Sequence, residues 1–478
     1  MASDRIDSPL TEQAIKFGKL KSLKAANIDS LPSHKPYIRE VPRKLGSCYG
    51  KEDCERYFQP TFVAIGPLHP QRKTNKCSRI QRGEECKLKL AKMFIEECRG
   101  QEEDFYKNVK KEIDSLKACY KFEQEWTDEE LAFMFLVDGC ALLLFIVLYV
   151  DDKWEVFRVT HGLVGIAKVD FFLLENQLPY QLLKILIHSF VEASKDDAFK
   201  RLFKEYITDF IDKSFLSLIA VQQHRIQVDH SQPHLSHEQQ EEEDPVHLLD
   251  LFRRRLMGVK SKKKGAKEQE RTNKSGWLNT VLNDNKSRHR FSIRNAKELK
   301  DNGIRFKARE KVDPLTKIEF NDRCCMPTLK LAPIFLHNTT VPLLLNLMAY
   351  ELCPDFKGDC KITSHLSFLD SLIDNREDVK ELRDAGVLHH GLGSDKAVAK
   401  LFNKISSILV PNLKMDSELK RIHEYCSNKS HPRNQCASFV AKLTDTYFSS
   451  TWSFLVFLGV SAGLIMTGIQ TYNSFQGK

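Results

Sequence analysis

The sequence predicts a mainly α fold: a large helical globular domain with a minor β-hairpin element, plus one C-terminal transmembrane helix. Three observations lead there. Hydrophobic residues are 42% and charged residues 29% of 478 positions, a globular balance that excludes a wholly disordered chain, a collagen and a polytopic membrane protein. Apolar residues recur at helical spacing through most segments and alternate only between Lys317 and Leu336. No charged residue occurs from Thr446 to Gly477. The expected organisation is a polar segment over 1–36, a globular domain over 37–450 with a charged insert at about 224–290, a membrane helix over 452–472 and a short tail over 473–478.

The elements follow in order. Glu84 to Phe122 is charge-rich with apolar positions at helical spacing, which predicts one or two amphipathic helices. Thr127 followed by Asp128, Glu129 and Glu130 reads as a cap and an acidic first turn. It opens Leu131 to Val150, an apolar run long enough to cross a bilayer. Asp138 interrupts that run, and a lone carboxylate in lipid costs a few kcal/mol, about 3 on insertion scales. A buried core helix is the simpler reading, with Asp138 capping or paired internally. Helices are expected over Pro179 to Val191, Phe199 to Gln222, Pro342 to Glu351 and Thr363 to Leu388. Lys317 to Leu336 predicts a short hairpin. Gly391 to Asp395 makes a turn, with Ser394 capping a helix to about Leu409. ELKDNGI (Glu298 to Ile304) and ELRDAGV (Glu381 to Val387) both look like a helix ended by glycine.

The formal charge is +9, but Arg253 to Arg290 alone holds 13 Lys/Arg against 3 Asp/Glu. The rest of the chain is therefore nearly balanced. The densest part, KSKKKGAKEQER, includes Lys260, Lys262, Lys263 and Lys264 and follows an acidic, His-rich stretch. Between the two lies HLLDLFRRRLM (His247 to Met257), which predicts one helix reaching the core. The remainder reads as a solvated, partly disordered insert. Attraction to anionic lipid is its leading functional reading. Nucleic acid is disfavoured, because basic and stacking side chains do not alternate. His224, His230, His234 and His237 have neither helical register nor Cys partners, so no metal is expected.

Trp452 to Tyr472 covers about 31 Å as a helix, the thickness of a hydrocarbon core, with Trp452 and Tyr472 at its ends. Gly459, Gly463 and Thr467 form a small-residue face through which two such helices could pair as a homodimer. Thirteen cysteines without a C-x-x-C pair, and an N-terminus without an export-type apolar run, lead to the expectation of free thiols and a cytosolic domain on a single-pass, tail-anchored membrane protein.

Reaction signatures are missing: there is no phosphate-binding loop, zinc-protease motif, nucleophile elbow or kinase set. Cys140 and Cys353 have no base that the sequence pairs with them. Glu175, Asn176 and Gln177 interrupt the apolar FFLLENQLP before Pro179 and are expected to cap the next helix and satisfy buried backbone groups.

An ordered series of blocks carries a resemblance. It runs YFQPTFVAIGPLHP (Tyr57 to Pro70), LVDGC (Leu136 to Cys140), VDFFLLENQLPY (Val169 to Tyr180) and HLLDLFR (His247 to Arg253). NAKELKDNGIRFK (Asn295 to Lys307), LLNLMAYELC (Leu344 to Cys353), ITSHLSFLDSLIDNREDVKELRDAGVL (Ile362 to Leu388), GSDKAVAKLFNKI (Gly393 to Ile405) and TYFSSTWSF (Thr446 to Phe454) complete it. Together they resemble the land-plant "domain of unknown function 247" family of single-span membrane proteins, over roughly Tyr37 to the C-terminus. The resemblance implies no established reaction and no cofactor. Some grass members are linked to self-incompatibility between pollen and stigma, which implies recognition. The family pattern usually has an acid where Leu144 stands and His-His where Leu68-His69-Pro70 stands. Both departures count against an enzyme. The expected function is a membrane-anchored binding, recognition or signalling module; the alternative is a hydrolase-like membrane enzyme with a site near Asp138, Glu175 and His69.

Overall fold

A capping box starts the helix on which the rest is stacked. Thr127 accepts from the Glu130 amide while the Glu130 carboxylate accepts from the Thr127 amide. The computed structural model describes residues 38–69, 78–121, 126–154, 160–219, 244–258, 294–310, 314–322, 326–356, 358–406, 417–427, 435, 438–439 and 451–476. Among them are sixteen helices and five short strands.

The first half is a helical bundle. It comprises α1 (Arg43–Phe58), α2 (Ser78–Glu97), α3 (Glu102–Lys111), α4 (Ile113–Lys117), α5 (Asp128–Asp151), α6 (His161–Asp170), α7 (Tyr180–Ser194), α8 (Ala198–Leu218) and α9 (Leu248–Leu256). The amphipathic stretch expected as one or two helices is three, because Arg99 and Glu112 leave helical geometry between them. The central α5 is apolar all round, so it needs neighbours on every side. It packs against α2, α3, α4, α7 and α8. Its apolar window is 83% buried inside the protein, so this run is a core helix, as its interrupting carboxylate suggests.

The second half comprises α10 (Ala296–Asp301), β1 (Arg305–Ala308), β2 (Glu319–Asn321), β3 (Thr328–Leu331), β4 (Ile334–Leu336), α11 (Thr340–Glu351), α12 (Lys361–Leu372), α13 (Arg376–Asp384), β5 (Leu388–His390), α14 (Asp395–Ser406) and α15 (Ser417–Ser427). The expected hairpin is present as β2 against β3, antiparallel. It is only part of the β structure: β1 pairs parallel with β3, and β4 pairs parallel with β5. Those pairings join segments far apart in sequence, which a local alternation pattern cannot register. The helix expected across Thr363 to Leu388 is two helices and a strand, because Asn375 starts α13 with a capping box to Asp378. Ser394 caps α14 as expected, accepting from the Ala397 amide at 3.2 Å.

The two similar sequences have one architecture. After α10, the Gly303 amide donates to Lys300 and that of Ile304 to Leu299; after α13, Gly386 donates to Arg383 and Val387 to Leu382. Both are Schellman closures with glycine at positive φ, and each delivers the chain into a parallel strand. The halves share one continuous core that includes Phe135, Phe172, Phe210, Phe252, Phe368 and Phe402. The last helix, α16 (Thr451–Gln476), differs. The window Phe454–Asn473 is as long and apolar as a membrane span and none of it is buried.

Candidate functional site

The first family block folds as an irregular strap. Residues 59–69 form neither helix nor strand, yet most of them are buried. Buried backbone without a ladder needs other partners, and the polar residues of the other blocks supply them. Asp170, the last residue of α6, accepts from the amides of Thr61 at 3.0 Å and of Phe62 and Val63, both at 2.8 Å. Asn176 accepts from the Ile65 amide at 2.7 Å and donates to the carbonyls of Val63 and Asp170. Asp138, midway along α5, accepts from the Gly66 amide at 2.9 Å. Lys87 on α2 donates to the Ala64 carbonyl and pairs with Asp138 at 2.8 Å, the two side chains being 2% and 0% exposed. Glu84 lies 2.8 Å from the same ammonium. The strap is pressed onto α2 so closely that a Cβ on Gly83 would lie 1.9 Å from the Phe62 carbonyl oxygen.

The ENQ residues serve the neighbouring turns. Gln177 donates to the carbonyls of Phe171 and Leu173, and its oxygen accepts from the Leu249 amide at 3.0 Å, in the first turn of α9. Glu175 accepts from the Val41 amide at 2.7 Å. Asn346 on α11 accepts from the Leu174 amide and donates to the Tyr57 carbonyl. The expectation that this triplet satisfies buried backbone therefore holds. The expectation that it caps the following helix is corrected: α7 begins after Pro179 with no side-chain cap, and Gln177 caps α9 instead. The HLLDLFR block is tied down in the same manner. His247 caps α9, its Nδ1 accepting from the Asp250 amide. Arg253 pairs with the buried Glu351 at 2.7 Å, and Glu351 in turn accepts from the Thr363 amide and hydroxyl at the start of α12.

Burial sets the electrostatics. It pushes Asp170 up to about 7, against the pull of its three amide donors, and Glu175 up to about 6, against the Val41 amide. It pushes His247 and His365 down to about 4 and Lys168 down to about 8. Perturbed carboxylates often mark catalytic sites, but these two are spent on backbone amides. Asp138 and His69 are buried and Glu175 is half-buried, with Asp138 and Glu175 serving different stretches of backbone. A cavity of about 40 Å³ lies between the strap, α2, α5 and α6, lined by Phe62, Val63, Cys86, Lys87, Phe145 and Trp154. None of Asp138, Glu175 and His69 lines it. Nor do they line the open depression of about 280 Å³ at Asp196, Phe199, Arg201 and Glu205.

Lys87, Asp170, Asn346 and Glu351 escaped the sequence reading. Lys87 sits in a charge-rich amphipathic helix where a solvated lysine is the ordinary case. Asp170 had a usable signal, being a lone carboxylate at the edge of an apolar run. On α16, Trp452, Tyr472 and most of the intervening apolar side chains are exposed, with Phe457 half-buried. Gly459 and Gly463 have no side chain over them, and Thr467 bonds to the Gly463 carbonyl of its own helix at 2.8 Å. Lys260, Lys262, Lys263 and Lys264, and the four histidines of the insert, lie outside the described residues.

The UPF0481 protein At3g47200 of Arabidopsis thaliana is 26% identical over 435 residues, covering 87% of this chain and 82% of the relative. The putative UPF0481 protein At3g02645 of the same plant is 25% identical over 187 residues, 38% of this chain and 33% of that relative. No solved structure matches. The family described as plant protein of unknown function, DUF247, matches residues 38–466, nearly the whole folded region, and the chain belongs to that family.

Proposed function

We propose that this protein is a membrane-anchored binding module that acts in recognition or signalling through its surface. The observation that carries the reading is where the polar motif residues go. Asp138, Asp170, Asn176, Gln177 and Asn346 are buried and bonded to backbone, which makes the motifs a scaffold for a rigid domain. Membrane attachment is supported by α16, whose Phe454–Asn473 window is as long and apolar as a span and has no part buried in the domain. Small-residue positions Gly459, Gly463 and Thr467 would let two such helices approach closely, giving a homodimer. Cys86, Cys98, Cys140, Cys353 and Cys360 stand as free thiols, which supports a domain on the reducing, cytosolic side.

Proximity labelling tests the binding role. A biotin ligase fused to the full chain in its native membrane should mark a reproducible set of proteins. A chain lacking Trp452–Lys478 should lose that set. Identical labelling by the two forms, no different from ligase alone, would sink the recognition reading.

A further inference from the structure

We infer that the solvent face of the three-stranded sheet is a docking surface for anionic lipid headgroups, an inference that rests on reading α16 as the membrane anchor. The sheet buries Phe306, Phe320, Leu329 and Leu331 on its inner face. By the two-residue alternation of a strand, its outer face carries Arg305 and Lys307 from β1, Lys330 from β3 and Glu319 from β2. The register sets Lys307 directly against Lys330 on one side, and Glu319 directly against Lys330 on the other. Like charges directly opposite each other in a ladder are destabilising. Among the described residues, Arg305, Lys307 and Lys330 form no ion pair. Glu319, the carboxylate on this face, is already held by Lys317 at 2.7 Å and approached by Arg309 at 3.5 Å. Asp322, at the end of β2, is neutralised by Arg421 at 2.7 Å. The face is therefore cationic, and its cations stand on a rigid, buried support.

The chain also ties the membrane helix within reach of this side. The Ser438 hydroxyl donates to the carbonyl of Asp301, the last residue of α10, at 2.8 Å. β1 begins four residues after Asp301. From Ser438 to the start of α16 at Thr451 an extended chain reaches at most about 45 Å. The helix that enters the bilayer is thus tethered within that reach of the sheet, whose exposed cations Arg305, Lys307 and Lys330 can meet a headgroup layer. A lipid phosphate or carboxylate between Lys307 and Lys330 would relieve their repulsion.

The test uses the full chain in two kinds of nanodisc, phosphatidylcholine alone and phosphatidylcholine with phosphatidylserine, with amine-reactive labelling read by mass spectrometry. In the anionic discs labelling of Lys307 and Lys330 should fall about fivefold, the effect of one cation near such a surface, and should recover in high salt. Lys92 on α2 and Lys107 on α3, exposed by 66% and 69%, should label equally in both. A chain with Lys260, Lys262, Lys263 and Lys264 replaced by Gln should keep the protection. Equal labelling of Lys307 and Lys330 in the two discs overturns the inference, and so does loss of protection in the Gln chain, which would assign the contact to the insert. A chain that fails to enter even the neutral discs overturns the anchor reading itself, and the docking surface with it.

Discussion

Lys87 and Asp138 form a buried pair whose removal separates a structural role from a chemical one. Deleting one partner strands the other charge and should cost about 3 kcal/mol or more, least for loss of Asp138, because Glu84 then stays beside Lys87. Asp138→Ala and Lys87→Met should each show that loss in urea unfolding. The double variant Lys87→Met/Asp138→Leu should be much less unstable than the sum, although the Gly66 amide and the Ala64 carbonyl lose partners. Additive losses would mean that the pair is not coupled. Asp138 was legible in the sequence as a carboxylate inside an apolar run; its partner was not, since a lysine flanked by acids on a helix looks solvated.

His247 gives a pH dependence of known sign. Its native value is about 4 against 6.5 in the unfolded chain, so below 6.5 the unfolded state takes up a proton that the native state refuses. The stability tied to this ring is complete above pH 6.5 and is lost toward pH 4, at about 1.4 kcal/mol per pH unit for one proton. Protonation also removes the Nδ1 acceptor that caps α9. His247→Asn keeps a capping acceptor without a titrating ring. The stability of the natural chain relative to this variant should therefore fall by about 3 kcal/mol between pH 7 and 4. A flat difference over that range would contradict the assignment.

Among the elements, helices were largely legible and sheet partners were not. Capping at Thr127 and Ser394 and glycine after α10 and α13 are local signals, readable within four or five residues. Parallel pairing of β1 with β3 depends on the chain crossing back past β2, and that of β4 with β5 on where three helices return it, which no short pattern encodes. The strap was illegible for the same reason: its backbone is satisfied by residues more than a hundred positions away, such as Asp170 and Asn176. The Schellman closure after α13 is a point of control. Gly386 sits at φ 71° with only the Ala308 Cβ, at 3.7 Å, near where a side chain would go. Gly386→Ala should therefore cost about 1 kcal/mol from backbone strain alone, and Gly386→Asn less. Thermal unfolding of the pair measures this, and equal losses would point to packing instead.

The whole molecule poses one question that its two long apolar helices answer oppositely. α5 carries the higher hydropathy, yet it is enclosed by helices and holds a buried ion pair. α16 is less apolar, and none of its Phe454–Asn473 window is buried. The basic insert and the side of the membrane depend on this assignment, because a second span through α5 would divide the domain between two compartments. Alkaline carbonate extraction of membranes bearing the full chain, and of membranes from cells making a chain without Trp452–Lys478, decides it. The account predicts that the full chain stays in the pellet while the shortened chain is soluble and folded. A shortened chain that still pellets and resists carbonate would make α5 a membrane span and contradict the fold as described.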